Sequence, residues 1–120
     1  MDEELKPGRE LDRLVAEAMG RRAVAVEGDY VLATEPGKPY DELPYYSVDT
    51  REAIRAFEWL KKNNPWGVPI EFERLAGIPT VIIYMDRNYP EIKKIEGETY
   101  AHAIAKAVVE AKKEQSQNPT

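Results

Sequence analysis

The sequence predicts an α+β domain: a layered α/β/α sandwich with three helices on a small, mainly antiparallel sheet, in the order α-β-β-α-β-β-α. Three observations carry this prediction. Apolar residues recur at three- and four-residue spacing in three separate stretches, the mark of amphipathic helices. Between these stretches lie pairs of short apolar or alternating runs joined by Gly-containing turns, the mark of hairpins. The chain has 120 residues, 42% of them hydrophobic, which is enough for one core and one domain. Helices on the faces of a small sheet are the economical packing for such an order.

Residues 1–8 read as a leader, broken by Pro7 and Gly8. The first helix is expected over Arg9–Met19, burying Leu11, Leu14, Val15 and Ala18, with Gly20 as its C-terminal cap. Arg21 and Arg22 follow where positive charge suits the helix dipole; a phosphate site is the alternative reading. Ala23–Val26 and Tyr30–Thr34 flank Glu27-Gly28-Asp29, a hairpin signal. The stretch EPGKPYDELP over 35–44 holds three prolines and a glycine and reads as a loop. Tyr40, Tyr45 and Tyr46 cluster at its exit, to stack on a ligand or to cover the edge of the core.

YYSVDTREAIRAFEWL, Tyr45–Leu60, reads as the central helix, lying on the sheet with Ala53, Ile54, Phe57 and Leu60 inward. Ser47 or Asp49 is placed to cap it, and Asp49 with Glu52 resembles a capping box. Lys61-Lys62-Asn63-Asn64-Pro65 stops it, and Trp66–Pro69 makes a turn. Ile70–Leu75 alternates apolar and polar residues, as a strand with one wet face does. Thr80–Met85, TVIIYM, is β-branched and apolar, as expected of a central strand that pairs antiparallel with 70–75. Residues 86–97 read as a loop or as a short edge strand near Ile92–Ile95. The third helix begins at Glu98 or Thr99 and packs through Ala101, Ile104, Ala105, Val108 and Ala111. The domain thus spans 9–112, and 113–120 form a polar, flexible tail.

Charge and composition narrow the function classes. The formal net charge is −5, the sequence pI about 5.0 and the charged fraction 32%. Lys and Arg are interspersed with acids rather than gathered in a stripe, which weighs against a nucleic-acid backbone as partner. Cysteine is absent, which removes disulfides, thiolate metal sites and a thiol nucleophile, and suits a reducing cytosol. No apolar run reaches the length of a membrane span, and the polar start MDEELKPGRE does not read as a signal peptide.

No catalytic motif is assembled. The single histidine, His102, excludes two-histidine metal motifs such as HExxH. Walker A, GxGxxG and EF-hand spacings are missing, and Ser47 lacks the GxSxG elbow. No cofactor is implied. Two places suit binding. One is the start of the second helix, around Tyr45, Tyr46, Ser47 and Asp49, where free N–H groups and the dipole favour an anion although Asp49 already supplies negative charge. The other is the start of the third helix, around Thr99 and His102. If both open on one side of the sheet they line a common pocket; ordinary helix capping is the competing reading.

Three stretches resemble one family, the phage ABA-sandwich domain family. GRELDRLVAEAMG resembles its opening helix R-x-x-D-x-L-V-A-x-x-x-M-G; YSVD resembles its central Y-S-T-D; ETYAHAIAKAVVEA resembles its closing T-x-x-x-A-I-x-x-A helix. Where the family often carries a cysteine and a Pro-Leu pair, this chain has Tyr100, Ala101 and His102. The resemblance implies a small α/β/α layered domain encoded by a phage or prophage, in the cytoplasm of a bacterial host, and implies no particular activity. The resulting expectation is a non-catalytic accessory protein that binds a protein partner or small ligand, with a homo-oligomer as one form of it. Two alternatives stand beside it: a nucleic-acid-binding domain with double-stranded-RNA-domain-like packing, and a metal-dependent nucleotide hydrolase.

Overall fold

A computed structural model describes residues 5–34, 37–63, 65, 69–84 and 92–117. The first leader residues, most of the expected turn at 66–69, residues 85–91 and the last three residues lie outside it.

Among the described residues nine elements follow one another: α1 (Arg9–Ala18), β1 (Ala23–Val26), β2 (Asp29–Leu32), β3 (Asp41–Glu42), α2 (Thr50–Asn63), β4 (Ile70–Leu75), β5 (Ile78–Tyr84), β6 (Ile92–Glu96) and α3 (Tyr100–Gln117). The fold is α+β with three helices and antiparallel strands, as expected. The order is α-β-β-β-α-β-β-β-α, and the strands form two three-stranded sheets, β1-β2-β3 and β4-β5-β6, rather than one. Each added strand extends a hairpin. Asp41 and Glu42 inside the Pro-rich loop pair with Leu32 and Val31, and β6 takes the edge position foreseen near Ile92–Ile95.

Both hairpins turn on two residues, Glu27-Gly28 and Ala76-Gly77, with positive φ at each position (48° and 84°; 51° and 82°). That is the conformation of a type I′ turn, whose twist matches the flanking strands. Ile78 and Pro79 already pair with Leu75 and Arg74, so Ala76-Gly77 alone connects β4 and β5. At the end of α1, Gly20 at φ 87° lets Gly20 N–H donate to Glu17 O (3.0 Å) and Arg21 N–H to Ala16 O (2.9 Å), a Schellman cap.

The packing centre is α3, not α2. It lies against α1, α2 and all three strands of the second sheet. Ala101–Ala105, Ala107–Val109 and Ala111 are all buried, so nearly every side of the helix is covered. This explains its composition: alanines allow neighbours on several sides to approach, while Ile104 and Val108 fill the gaps, each contributing about 1.5–3 kcal/mol by burial. The helix continues to Gln117, through residues expected to fray; Lys93 of β6 meets Glu110 (2.9 Å) and Glu114 (3.8 Å) along its later turns. On α2 the buried residues are Ala53, Ala56, Phe57 and Leu60. Ile54, expected inward, is 43% exposed. The helix packs on α3 rather than flat on a sheet, so its buried stripe is rotated toward Ala56.

The central strand β5 buries both faces, as its composition predicted. Val81 and Ile83 join Ile70 and Ile95 in the core, whereas Ile82 is buried on the other side in register with Glu71 and Lys94. At the exit of β6, Gly97 comes so close to α3 that an added Cβ would sit 2.4 Å from Ala103 N and 2.8 Å from Ala103 Cα.

Candidate functional site at two helix starts

Leu11 and Val15 orient α1 toward the core, and the same rotation buries Asp12 completely. A buried carboxylate must be met by donors. Asp12 Oδ1 accepts from Ser47 N–H (2.8 Å) and from Ser47 Oγ–H (2.7 Å), and Oδ2 accepts from Arg9 Nη1 (3.0 Å). Ser47, also fully buried, accepts in turn from Gly8 N–H at 2.8 Å, and Gly8 O lies 3.1 Å from the hydroxyl. Arg9 uses the rest of its guanidinium on Asp29 (Nε, 3.0 Å) and on the carbonyl of Leu43 (Nη2, 2.9 Å), and its plane lies 4.0 Å from the Tyr45 ring centroid. Burial opposes its charge, but the bonds and charges of Asp29 and Asp12 prevail and hold its pKa above the ordinary value.

The four candidates at the start of α2 therefore have separate roles. Ser47 is a buried link between α1 and the segment before α2. Tyr46 is buried beside it, and burial pushes its phenol up from the usual value, against the opposing charge of Arg21. Tyr45 is exposed and stacked on Arg9. Asp49 is the N-cap: its Oδ1 accepts from Arg51 N–H at 2.9 Å. The capping box does not close, because Asp49 N–H donates to Tyr45 O (2.7 Å) and Glu52 pairs with Arg55.

At the start of α3, Thr99 is the N-cap, its Oγ1 accepting from His102 N–H at 3.1 Å. His102 reaches back, so that its Nδ1 accepts from Glu98 N–H at 2.8 Å, one residue before the N–H that the third residue of a capping box takes. A backbone N–H only donates, so Nδ1 carries no proton and Nε2 bears the ring hydrogen. Nε2–H donates to Leu5 O at 2.6 Å. The ring is 2% exposed. The leader thus joins the starts of α2 and α3: Gly8 is bound at Ser47 and Leu5, three residues earlier, at His102.

Of the six candidates Tyr46, Ser47 and His102 are buried and Tyr45, Asp49 and Thr99 are exposed, and none lines the groove next to the start of α3. That groove, about 580 Å³, is lined by Lys94, Ile95, Glu96, Gly97, Glu98 and Lys106. Among the described residues, no three His, Asp or Glu side chains converge as metal ligands, and no helix is long and apolar enough to cross a membrane.

Sequence reasoning missed Arg9 and Asp12 as site residues. Their signal was present: R-x-x-D puts the pair on adjacent turns, and Asp12 is followed at three and four residues by Val15 and Ala16, which marks it as inward-facing.

No family model matches the chain, and no curated protein does. Among solved structures it is similar to a phage protein from Bacillus cereus ATCC 14579, a 2.0 Å crystal structure, with a TM-score of 0.61 and 20% identity over 93% of this chain and 96% of that one. At that identity the likeness is one of fold.

Proposed function

We propose that this chain is a small phage or prophage accessory protein of the phage ABA-sandwich domain family, acting without catalysis as a binding protein for a protein partner or small ligand. Its binding region is the pair of helix starts, with Tyr45, Tyr46, Ser47 and Asp49 on one side and Thr99 and His102 on the other. It works in the host cytoplasm, and self-association is one form its partner takes. The observation that supports this reading is the state of the reactive groups. Ser47 Oγ is held between Asp12 and Gly8, and His102 has both ring nitrogens engaged by backbone. A nucleophile or base needs a face open to substrate, and neither residue has one. By contrast, Tyr45 and Val48 just before α2 are 42% and 56% exposed, as contact residues are. The fold shared with a phage protein supports the phage origin. Size-exclusion chromatography with light scattering, together with a thermal-shift screen of small ligands and host extract, tests the reading. The expected result is a species larger than a monomer or a rise of a few degrees in Tm; a strict monomer that nothing stabilises would overturn it.

A further inference from the structure

Residues 5–7 are tethered lightly for a segment lying on the core. Among the described residues they make one hydrogen bond, from His102 Nε2–H to Leu5 O, and Leu5 packs its side chain against the buried cluster. The next residue, Gly8, is fixed at Ser47 and has φ 149° and ψ −173°, a conformation essentially confined to glycine. One hydrogen bond and the packing of Leu5, on a segment that ends where Gly8 is pinned, describe a lid. What it covers is specific. With the lid lifted, His102 Nε2–H exchanges its backbone acceptor for water at the edge of the core, a position that an acceptor beside an apolar group can take back.

We propose that residues 5–7 form a lid over a peptide-binding site centred on His102, and that Leu5 is the built-in stand-in for the ligand: an extended peptide segment presenting an aliphatic side chain beside a free backbone carbonyl. This rests on the reading of the helix starts as the binding region and names the ligand for one of them. The ring selects the chemistry. Nε2 donates and cannot accept while Nδ1 holds Glu98 N–H, so the ligand atom must be an acceptor. Glu98 Oε2 lies 4.0 Å from Nδ1, and its charge disfavours a second carboxylate at the ring, so a neutral amide carbonyl fits better than a free acid.

His102 is the single histidine of the chain, so its ring can be followed alone in long-range proton–nitrogen NMR spectra of the full-length protein. In the wild type the ring should be the Nε2–H tautomer, with that hydrogen less protected, relative to its own unprotected exchange rate, than the amides of Ala103 and Ile104, because the lid opens locally. Leu5→Asp should speed this exchange about tenfold, the equivalent of one lost hydrogen bond. The probe acetyl-Leu-Lys-Pro-Gly-amide at millimolar concentration should restore protection and shift Glu98 and His102, and acetyl-leucine with its free carboxylate should bind about tenfold more weakly. Should Leu5→Asp fail to fold, the wild type suffices: the same peptide must slow its ring exchange. Exchange of Nε2–H only through global unfolding, or no response of the ring to the peptide, overturns the lid. A partner or stabilising ligand found by chromatography or thermal shift, with a ring indifferent to the peptide, would sink this inference and leave the broader binding reading intact.

Discussion

The starts of α2 and α3 solve the same problem with different chemistry. Both tie an exposed helix N-terminus to the interior through a buried side chain, Ser47 before α2 and His102 in α3, whose polar atoms would otherwise be left without water. Before α2 the anchor is a charge: Asp12, supplied by α1, takes three hydrogen bonds from Ser47 and Arg9. At α3 it is a neutral ring from the helix itself, donating at one nitrogen and accepting at the other. A charge tolerates burial only while every partner stays, whereas a neutral ring loses one hydrogen bond at a time. The charged anchor should therefore be the brittle one.

The largest expected effect tests that brittleness. Asp12→Ala strands two donors of Ser47 and leaves Arg9 without its inward partner, and should cost about 3–5 kcal/mol. Asp12→Asn keeps an acceptor for Ser47 but loses the charge, and should cost about 1–3 kcal/mol. Urea denaturation of both variants decides; equal losses would show that the ion pair with Arg9, not the bonds to Ser47, carries the anchor. Next comes Gly97→Ala, beside the neutral anchor. Its Cβ meets the backbone of α3, which cannot rotate away as a side chain can, and should cost about 1–3 kcal/mol by overpacking. A Gly97→Ala protein as stable as the wild type would mean that β6 is free to draw back from α3.

How far the sequence reached can be read from these same residues. Periodicity located all three helices, the I′ turns announced both hairpins through Gly28 and Gly77, and the Lys-rich stretch at 93–94 pointed to an edge strand. What escaped was tertiary. No local pattern says that α3 rather than α2 is surrounded, although its alanines are the trace of crowding. The division into two sheets depends on where hairpins dock, and Ile54 faces solvent because α2 packs on a helix. Of the candidate site, Asp49 and Thr99 were legible as caps because capping is local. The bond of Asp12 to Ser47 spans 35 residues and that of His102 to Leu5 spans 97, beyond the reach of any short window.

A subtler pair of substitutions sharpens the comparison at the ring. His102→Asn places an amide oxygen near the position of Nδ1, retaining an acceptor for Glu98 N–H while falling short of Leu5. His102→Gln reaches toward Leu5 O and gives up the bond to Glu98. Each should cost about 1 kcal/mol, and His102→Ala about twice that. Should Ala cost clearly less than the two combined, the bonds reinforce one another through the ring tautomer, and the neutral anchor is less modular than its lack of charge suggests.

The smallest effect belongs to Tyr46, which brings a second ionisable group to the charged anchor. Burial raises its folded pKa above the unfolded value of about 10. Below pH 10 the phenol is neutral in both states and its stabilising contribution is intact. Above that, the unfolded chain releases the proton first, so stability falls as pH rises toward the folded value. Arg21 lies close enough to oppose the shift electrostatically, so the loss should be modest beside that of Asp12→Ala. Melting temperatures of the wild type and Tyr46→Phe, followed from pH 8 to pH 11 (a range set by the ordinary tyrosine pKa of about 10), should diverge only at the alkaline end, with Phe the flatter curve. Parallel curves would mean that the phenol reaches solvent when it ionises, and that the start of α2 opens more readily than its buried carboxylate implies.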